Sequence, residues 1–429
     1  SLRASTLSVE HMMDNFTLRP PPLTPMGMPN YRQSDPRGDT DTAAVVWELE
    51  QAGWELALGA DADWESHTGR ITDPTNARYY IDNFNDVDRD RAGLFGNLTR
   101  AAGAWEVEAG LRYNKVRMDA GEVSGDLATM PGSPMYIQQV RLDELAADFN
   151  AADRSVSDDQ WSGVFKASRD LAEALRLNLG LGRKMRSPSY QERYLWLPLE
   201  ASAGLADGRT YIGDIGLEPE ESLELTAGID WSPGQFKLTP ELFYREVDGF
   251  IQGVPSTNET ANRFAMMMGG APPLQYANVD AEFYGADLAY EWRMSEAWLL
   301  RGNLGYVRGK RRDDGDNLYR IAPLSSFFEV LYANERWYVS VQNVAAARQD
   351  RVADYNDEQV TPGWGIVHLR AGLQLNDTFG IAAGIENLAD RVYQDHLGGY
   401  NRVRESDIPV GERLYGVGRN VYLRLDAQW

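Results

Sequence analysis

Cysteine is absent from these 429 residues, and histidine occurs only four times. The first absence removes disulfide frameworks, thiolate metal sites and cysteine nucleophiles together, leaving His, Met and carboxylates as the available metal ligands. Soft-metal chemistry would therefore fall to the 12 methionines. Positive charge is scarce as well: 42 Lys and Arg face 64 Asp and Glu, a formal charge of −22 and a pI near 4.6. Neutralising phosphates needs an excess of Lys and Arg, so nucleic acid is not an expected partner. There is no run of about 18 apolar residues, hence no transmembrane helix. The chain opens SLRASTLSVE, without the basic start and apolar stretch of a signal peptide, as a mature, processed or partial chain would. A missing helix does not exclude a membrane, because strands that alternate apolar and polar residues give only a weak hydropathy signal.

What the chain does contain is period-two alternation. Trp105, Val107, Ala109, Leu111 and Tyr113 are set against Glu106, Glu108, Gly110 and Arg112. Leu223, Leu225, Ala227, Ile229 and Trp231 repeat the pattern, and Val421, Leu423, Leu425, Ala427 and Trp429 close the chain with it. Period two means strand. Tight turn signals at Gln51-Ala52-Gly53, Ala101-Ala102-Gly103, Asp170-Leu171-Ala172-Glu173, Ser232-Pro233-Gly234, Met294-Ser295-Glu296, Asn334-Glu335 and Asn376-Asp377 join the strands in pairs. Between the pairs lie long polar stretches, roughly residues 15–40, 67–88, 119–160, 186–220, 252–275, 309–318, 347–363 and 394–415.

Strict alternation of short and long connections over about 16 strands, each roughly 10 to 16 residues, is the layout of a transmembrane antiparallel β-barrel. Residues 1–429 read as one all-β outer-membrane barrel, with both termini on the short-turn, periplasmic side and the long loops extracellular. Trp54, Trp105, Trp231, Trp298, Trp337 and Phe379 all fall beside short turns, where an interfacial girdle would lie, and Trp429 completes it. A soluble propeller would instead show blade repeats with similar loop lengths throughout.

Several motifs resemble those of TonB-dependent outer-membrane receptors of Gram-negative bacteria. They are Arg186-Ser187-Pro188-Ser189-Tyr190-Gln191-Glu192-Arg193-Tyr194, Gly216-Leu217-Glu218-Pro219-Glu220-Glu221-Ser222, Tyr276-Ala277-Asn278 leading to Gly285-Ala286-Asp287, and Gly384-Ile385-Glu386-Asn387-Leu388-Ala389-Asp390-Arg391-Val392-Tyr393. The last loop from Pro409 to Asn420 and the aromatic terminus add to the resemblance. It implies active uptake energised by a TonB-type protein acting through an N-terminal plug, in a barrel of about 22 strands. The first strand, expected near Ser5 to Phe16, then corresponds to one well inside such a barrel. The plug and about six strands would lie outside this chain. Were the chain complete, a passive 16-stranded porin would be the natural reading. Outer-membrane lipid and lipopolysaccharide are the implied surroundings.

No constellation supports catalysis, so an enzyme is not expected. His368 alternates with Val367 and Leu369 as a lumen residue. His67 and His396 lie at strand ends with no Ser nucleophile or orienting third group at a recognisable spacing. Asp86-x-Asp88-x-Asp90 and Asp313-Asp314-Gly315-Asp316 lack the spacing of a calcium loop and read as solvated charge. Methionine is the informative residue. His11, Met12 and Met13, then Met26 and Met28, and finally Met266, Met267 and Met268 all fall in or beside long connections, where there is no core to fill. Thioethers with imidazole suit Cu(I), although loop methionines also pack against one another. Glu10 to Pro20 and His396 to Arg402 further resemble segments of the TonB-dependent copper receptors. That resemblance implies copper as transported substrate, with no tightly bound cofactor. The alternative is a ferric-siderophore receptor, with Arg193, Tyr194, Trp196, Tyr400 and Arg402 (and Tyr211) offered to an anionic chelate, against which net acidic loops would work.

Overall fold

The computed structural model describes residues 1–23, 27–199, 208–403 and 406–428. β1 (Leu2–Glu10), the two-residue β2 (Met13–Asp14) and β3 (Gln33–Gln51) open the sheet, and β3 turns into β4 (Trp54–Thr72). β5 (Tyr80–Ala102) and β6 (Trp105–Asp119) form the next hairpin, followed by β7 (Gly125–Asp126) and helix α1 (Tyr136–Ala151). β8 (Val156–Ala172) and β9 (Leu175–Arg186) lead through helix α2 (Tyr190–Tyr194) and β10 (Tyr211–Ile212) to β11 (Glu220–Trp231) and β12 (Phe236–Pro255). Helix α3 (Glu259–Met267) precedes β13 (Leu274–Arg293) and β14 (Trp298–Arg311). β15 (Ser325–Ala333), β16 (Trp337–Ala346), β17 (Trp364–Gln374), β18 (Phe379–Glu386) and β19 (Asn420–Ala427) complete it.

All the long strands pair antiparallel with their neighbours along the chain, from β1 against β3 to β18 against β19. The described residues hold nineteen strands rather than about sixteen. Three of these, β2, β7 and β10, are two-residue ladders inside the long connections. The strands are also taller than expected, 19 residues in β3 and β4 and 23 in β5. The connection expected at 67–88 therefore shrinks to the residues between Thr72 and Tyr80. Its polar alternation continues the strands beyond the apolar band, where no hydrophobic stripe marks them. The first strand ends at Glu10 rather than Phe16.

β1 and β19 do not pair with each other among the described residues, so the sheet remains open along that seam. A pore sealed by these strands alone would need that ladder, since unpaired edges are not tolerated in lipid.

Register sorts the side chains onto two faces. Leu94 pairs with Tyr113, Leu225 with Tyr244, Leu288 with Leu304 and Leu369 with Ile385, forming an apolar outer face. Trp54, Trp105, Trp231, Trp298, Trp337 and Phe379 ring its short-turn end, all exposed. Arg100 and Arg169 lie over Trp54 and Trp105 at 4.3 and 5.1 Å, a cation–π seam at the rim. Trp429 lies outside the described residues.

The opposite face is a ladder of charge. Asp61 takes Arg91 and Arg112, each at 2.6 Å. Gly93 lies beneath them because a Cβ there would meet Arg112, Asn114 and Asp61 within 2.8 Å. Glu329 receives Arg301 at 2.5 Å and Gln342 at 2.7 Å. His368 shares this face, its Nδ1 accepting from the Asn387 backbone N–H at 3.2 Å. The two faces give an expected outcome. Leu111→Arg, on the outer face, should cost about 2–4 kcal/mol near the bilayer midplane, and Glu108→Arg on the charged face much less. A urea titration in lipid vesicles measures both, and equal costs would contradict this assignment of faces.

The apolar core sits at the long-loop end, away from the short turns. Ile71, Ile81, Val116 and Met118 from the strand tops pack with Leu142 and Phe149 of α1, Tyr194 to Leu197, and Phe264 of α3.

Candidate functional site

The long connections meet at one end of the sheet, where helix α3 carries Met266 and Met267. Asn258 caps it by accepting from the Ala261 N–H at 3.0 Å, and Glu259 occupies the first turn. Ala261, Phe264, Ala265 and Met268 recur at helical spacing, and the first three are buried. Gly269, at φ +86, ends the helix in the left-handed region that a side chain avoids. The buried face packs against α1, and Gln138 donates to the Met267 carbonyl at 3.2 Å.

This leaves Met266 and Met268 exposed and Met267 half-buried. Successive helical positions diverge by about 100°. The three thioethers therefore spread around a turn, and an ion bound here takes one or two of them plus donors from elsewhere. His11, Met12 and Met13 stand on the edge of the sheet instead. The His11 N–H donates to the Pro36 carbonyl at 3.0 Å, and Met13 pairs with Ser34. Met12, Met13 and Met28 are all exposed, and Met26 lies outside the described residues. The structure thus unites Met266–Met268 on one helical turn and His11–Met13 on one strand end, on separate elements. No group of three His, Asp or Glu among the described residues could hold a metal ion.

The residues considered for an anionic chelate divide. Arg193, Tyr194 and Trp196 are buried in the loop core. The Arg193 guanidinium pairs with Asp158 at 3.0 Å, the Tyr194 hydroxyl donates to the Arg154 carbonyl at 2.7 Å, and the Trp196 indole donates to the Asp82 carbonyl at 2.8 Å. Burial pushes the Tyr194 phenol up, so it is no phenolate at neutral pH. All three hold loops together and present no free surface. Tyr211 is buried in the same core. Tyr400 and Arg402 instead line an open cavity of about 260 Å³ with Arg209, Tyr319, Asn356 and Gln359. Arg209 is paired there with Asp357 at 2.9 Å.

Beneath the cavity a buried polar cluster locks three connections. His396 Nε2 lies 3.1 Å from Glu358 and its Nδ1 2.9 Å from the Thr361 hydroxyl. Glu358 also accepts from the backbone N–H groups of Arg320 and Ala353. Arg413 donates to the His396 and Gly398 carbonyls and to the Tyr400 hydroxyl. His396 is thus a structural residue, 1% exposed. Arg209, Tyr319 and Asn356 were not anticipated from sequence. They come from separate connections, and no local pattern marks them.

No curated protein sequence matches the chain. Among solved structures, it resembles the copper transporter OprC with a TM-score of 0.81 at 22% identity, over 99% of this chain and 62% of that one. The ferric yersiniabactin uptake receptor FyuA of Yersinia pestis matches with a TM-score of 0.66 at 14% identity, over 99% and 58%. A mutant of the ferric enterobactin receptor PfeA of Pseudomonas aeruginosa matches with a TM-score of 0.65 at 17% identity, over 99% and 59%. The chain thus spans less than two thirds of each of these structures, and at such identities the likeness is one of fold. The family model described as TonB dependent receptor-like, β-barrel matches residues 7–388, and the chain belongs to that family.

Proposed function

We propose that this chain is barrel from an active outer-membrane receptor that takes up copper. The family is one of outer-membrane transporters, not enzymes. The observation that carries the metal is the exposure of Met12, Met13, Met28, Met266 and Met268, at 41–62%, on the long-loop end. Methionine is ordinarily core material, and a surface set of thioethers with His11 beside it suits a soft ion such as Cu(I). Met26 and Met267 belong to the same set. Capture occurs outside, with the termini periplasmic and the loops extracellular. Release inward is driven by a TonB-type protein through a plug. Strands beyond these 429 residues fill the seam between β1 and β19, because both edges need partners in lipid. Likeness in fold to a copper transporter supports the reading, and likeness to two siderophore receptors keeps a second one in view.

That second reading, a ferric-chelate receptor, is favoured by one observation: Tyr400 and Arg402 line an open cavity among the loops. The net charge of −22 opposes it, since an anionic chelate would be repelled on approach.

The test is anaerobic equilibration with Cu(I) followed by elemental analysis. The parent is compared with a variant carrying Leu at Met12, Met13, Met266, Met267 and Met268. Near-stoichiometric copper in the parent and its loss in the variant is the expected result. Copper in neither would move the assignment to a chelate. Copper retained by the variant would remove the thioethers from the site.

A further inference from the structure

On the outer face, where β14 outruns its neighbour, the barrel wall has a notch. β14 pairs with β15 only from Trp298 to Gly305, and Tyr306 to Arg308 have β13 on one side alone, whereas Gly309 to Arg311 are bridged on the other side by residues 316–318. On that side, beside Tyr306 to Arg308, is a cavity of about 190 Å³, closed by Ile321–Leu324 and Ala347–Arg351. Two hydrogen bonds fix those segments to each other: the Ala347 N–H to the Leu324 carbonyl, and the Gln349 side chain to the Ile321 carbonyl, both at 2.8 Å.

Register puts Tyr306 and Arg308 on the lipid-facing side. They follow Leu304 at alternate positions, opposite Ala286 and Tyr284 as Leu304 is opposite Leu288. The notch therefore continues the apolar band directly upward. Three arginines line it. Arg351 donates to the Tyr306 hydroxyl at 2.8 Å, Arg348 stands 3.8 Å from Asp350, and Arg308 has no hydrogen bond or ion pair among the described residues. The neighbouring outer-face cations differ: Lys310 is matched by Glu282 at 2.9 Å and Arg312 by Asp248. In a chain of net charge −22, three arginines against one carboxylate are a local reversal of sign.

We propose that this notch binds the phosphate of a lipid headgroup in the leaflet at the long-loop end. Guanidinium forks match phosphate oxygens bidentately, and basic pockets at the edge of an apolar band hold anionic headgroups whose chains lie along that band. The arginine stems keep their charge at the interface while lying on apolar wall. The site needs the membrane barrel but not copper, so a protein that binds copper and ignores lipid fails this proposal alone.

The full receptor, isolated from the outer membrane and exchanged into a neutral detergent, is titrated with lysophosphatidic acid, with monoacylglycerol and with inorganic phosphate. Saturable one-to-one binding of lysophosphatidic acid, at least about ten-fold tighter than either of the others, is expected. Arg308→Ala with Arg348→Ala and Arg351→Ala should abolish that preference, and the three Arg→Lys replacements should retain part of it. Removing Arg19, Arg78 and Arg263 instead, an equal change in net charge, should leave it intact. Equal binding of the phosphorylated and neutral lipids would overturn the proposal. So would inorganic phosphate binding as tightly as the lipid, or the Arg19, Arg78, Arg263 set losing the preference too. Heat-modifiable migration on a gel verifies that each variant is folded.

Discussion

Replacing Arg193 with Met is expected to destabilise the loop end by about 3–5 kcal/mol, the cost of leaving a buried charge without its partner. The side chain is 2% exposed and that of Asp158 is 8% exposed. Arg193 donates to Asp158 at 3.0 Å and to the Leu217 carbonyl at 2.8 Å, tying α2 to the top of β8 and to the connection before β11. Asp158 has nothing to fall back on, because its second oxygen is already without a partner. The double variant Arg193→Met with Asp158→Leu should recover most of the loss, since replacing a whole buried pair by apolar side chains is often neutral or better. Unfolding midpoints in detergent micelles measure both. A single variant within about 1 kcal/mol of the parent would show the pair to be solvated.

Phe264→Ala is the second large effect, about 3–5 kcal/mol for emptying a fully buried aromatic site. Its consequence is local. Phe264 and Ala261, both at 0% exposure, are the face by which α3 holds to α1 and to the strand tops. Once that face is lost, α3 should fray while the strands persist. Hydrogen exchange is expected to quicken throughout α1 and α3 and to remain unchanged in β15–β18. Met266–Met268 would then stand on a mobile segment, and Cu(I) should dissociate faster from the variant. Unchanged exchange in α1 would mean that the two helices are stabilised independently.

Much of this architecture was legible because a membrane barrel writes its topology in period two. The alternation from Trp105 to Tyr113 and from Val421 to Leu425 assigns a face to each residue without reference to any partner. The hairpins are similarly local: Ala52 and Gly53 both adopt positive φ, the geometry of a two-residue turn between twisted strands. What was missed lies in the long connections. α1 has its signal, Gln139, Leu142, Leu145, Ala146 and Phe149 at helical spacing, yet those residues are buried against strand tops and Tyr194. The extra height of β5 was invisible for the opposite reason: its upper half carries charge on the outer face, with Asp88 and Asp90 opposite Asp119 and Arg117.

The same division separates the candidate ligands. The sequence by itself determined that the chain is a meander of strands with an apolar and a charged face, loops of two lengths, and methionine as its only sulfur side chain. Each of these follows from composition or from neighbours along the chain. Only the tertiary structure decided which loop residues are accessible. Arg193 and Tyr194 of the motif at 186–194 vanish into a core, whereas Arg402 of the segment at 396–402 opens onto a cavity. That difference is set by what other connections place on top of each residue. It depends on contacts between segments far apart in sequence, which no local pattern encodes.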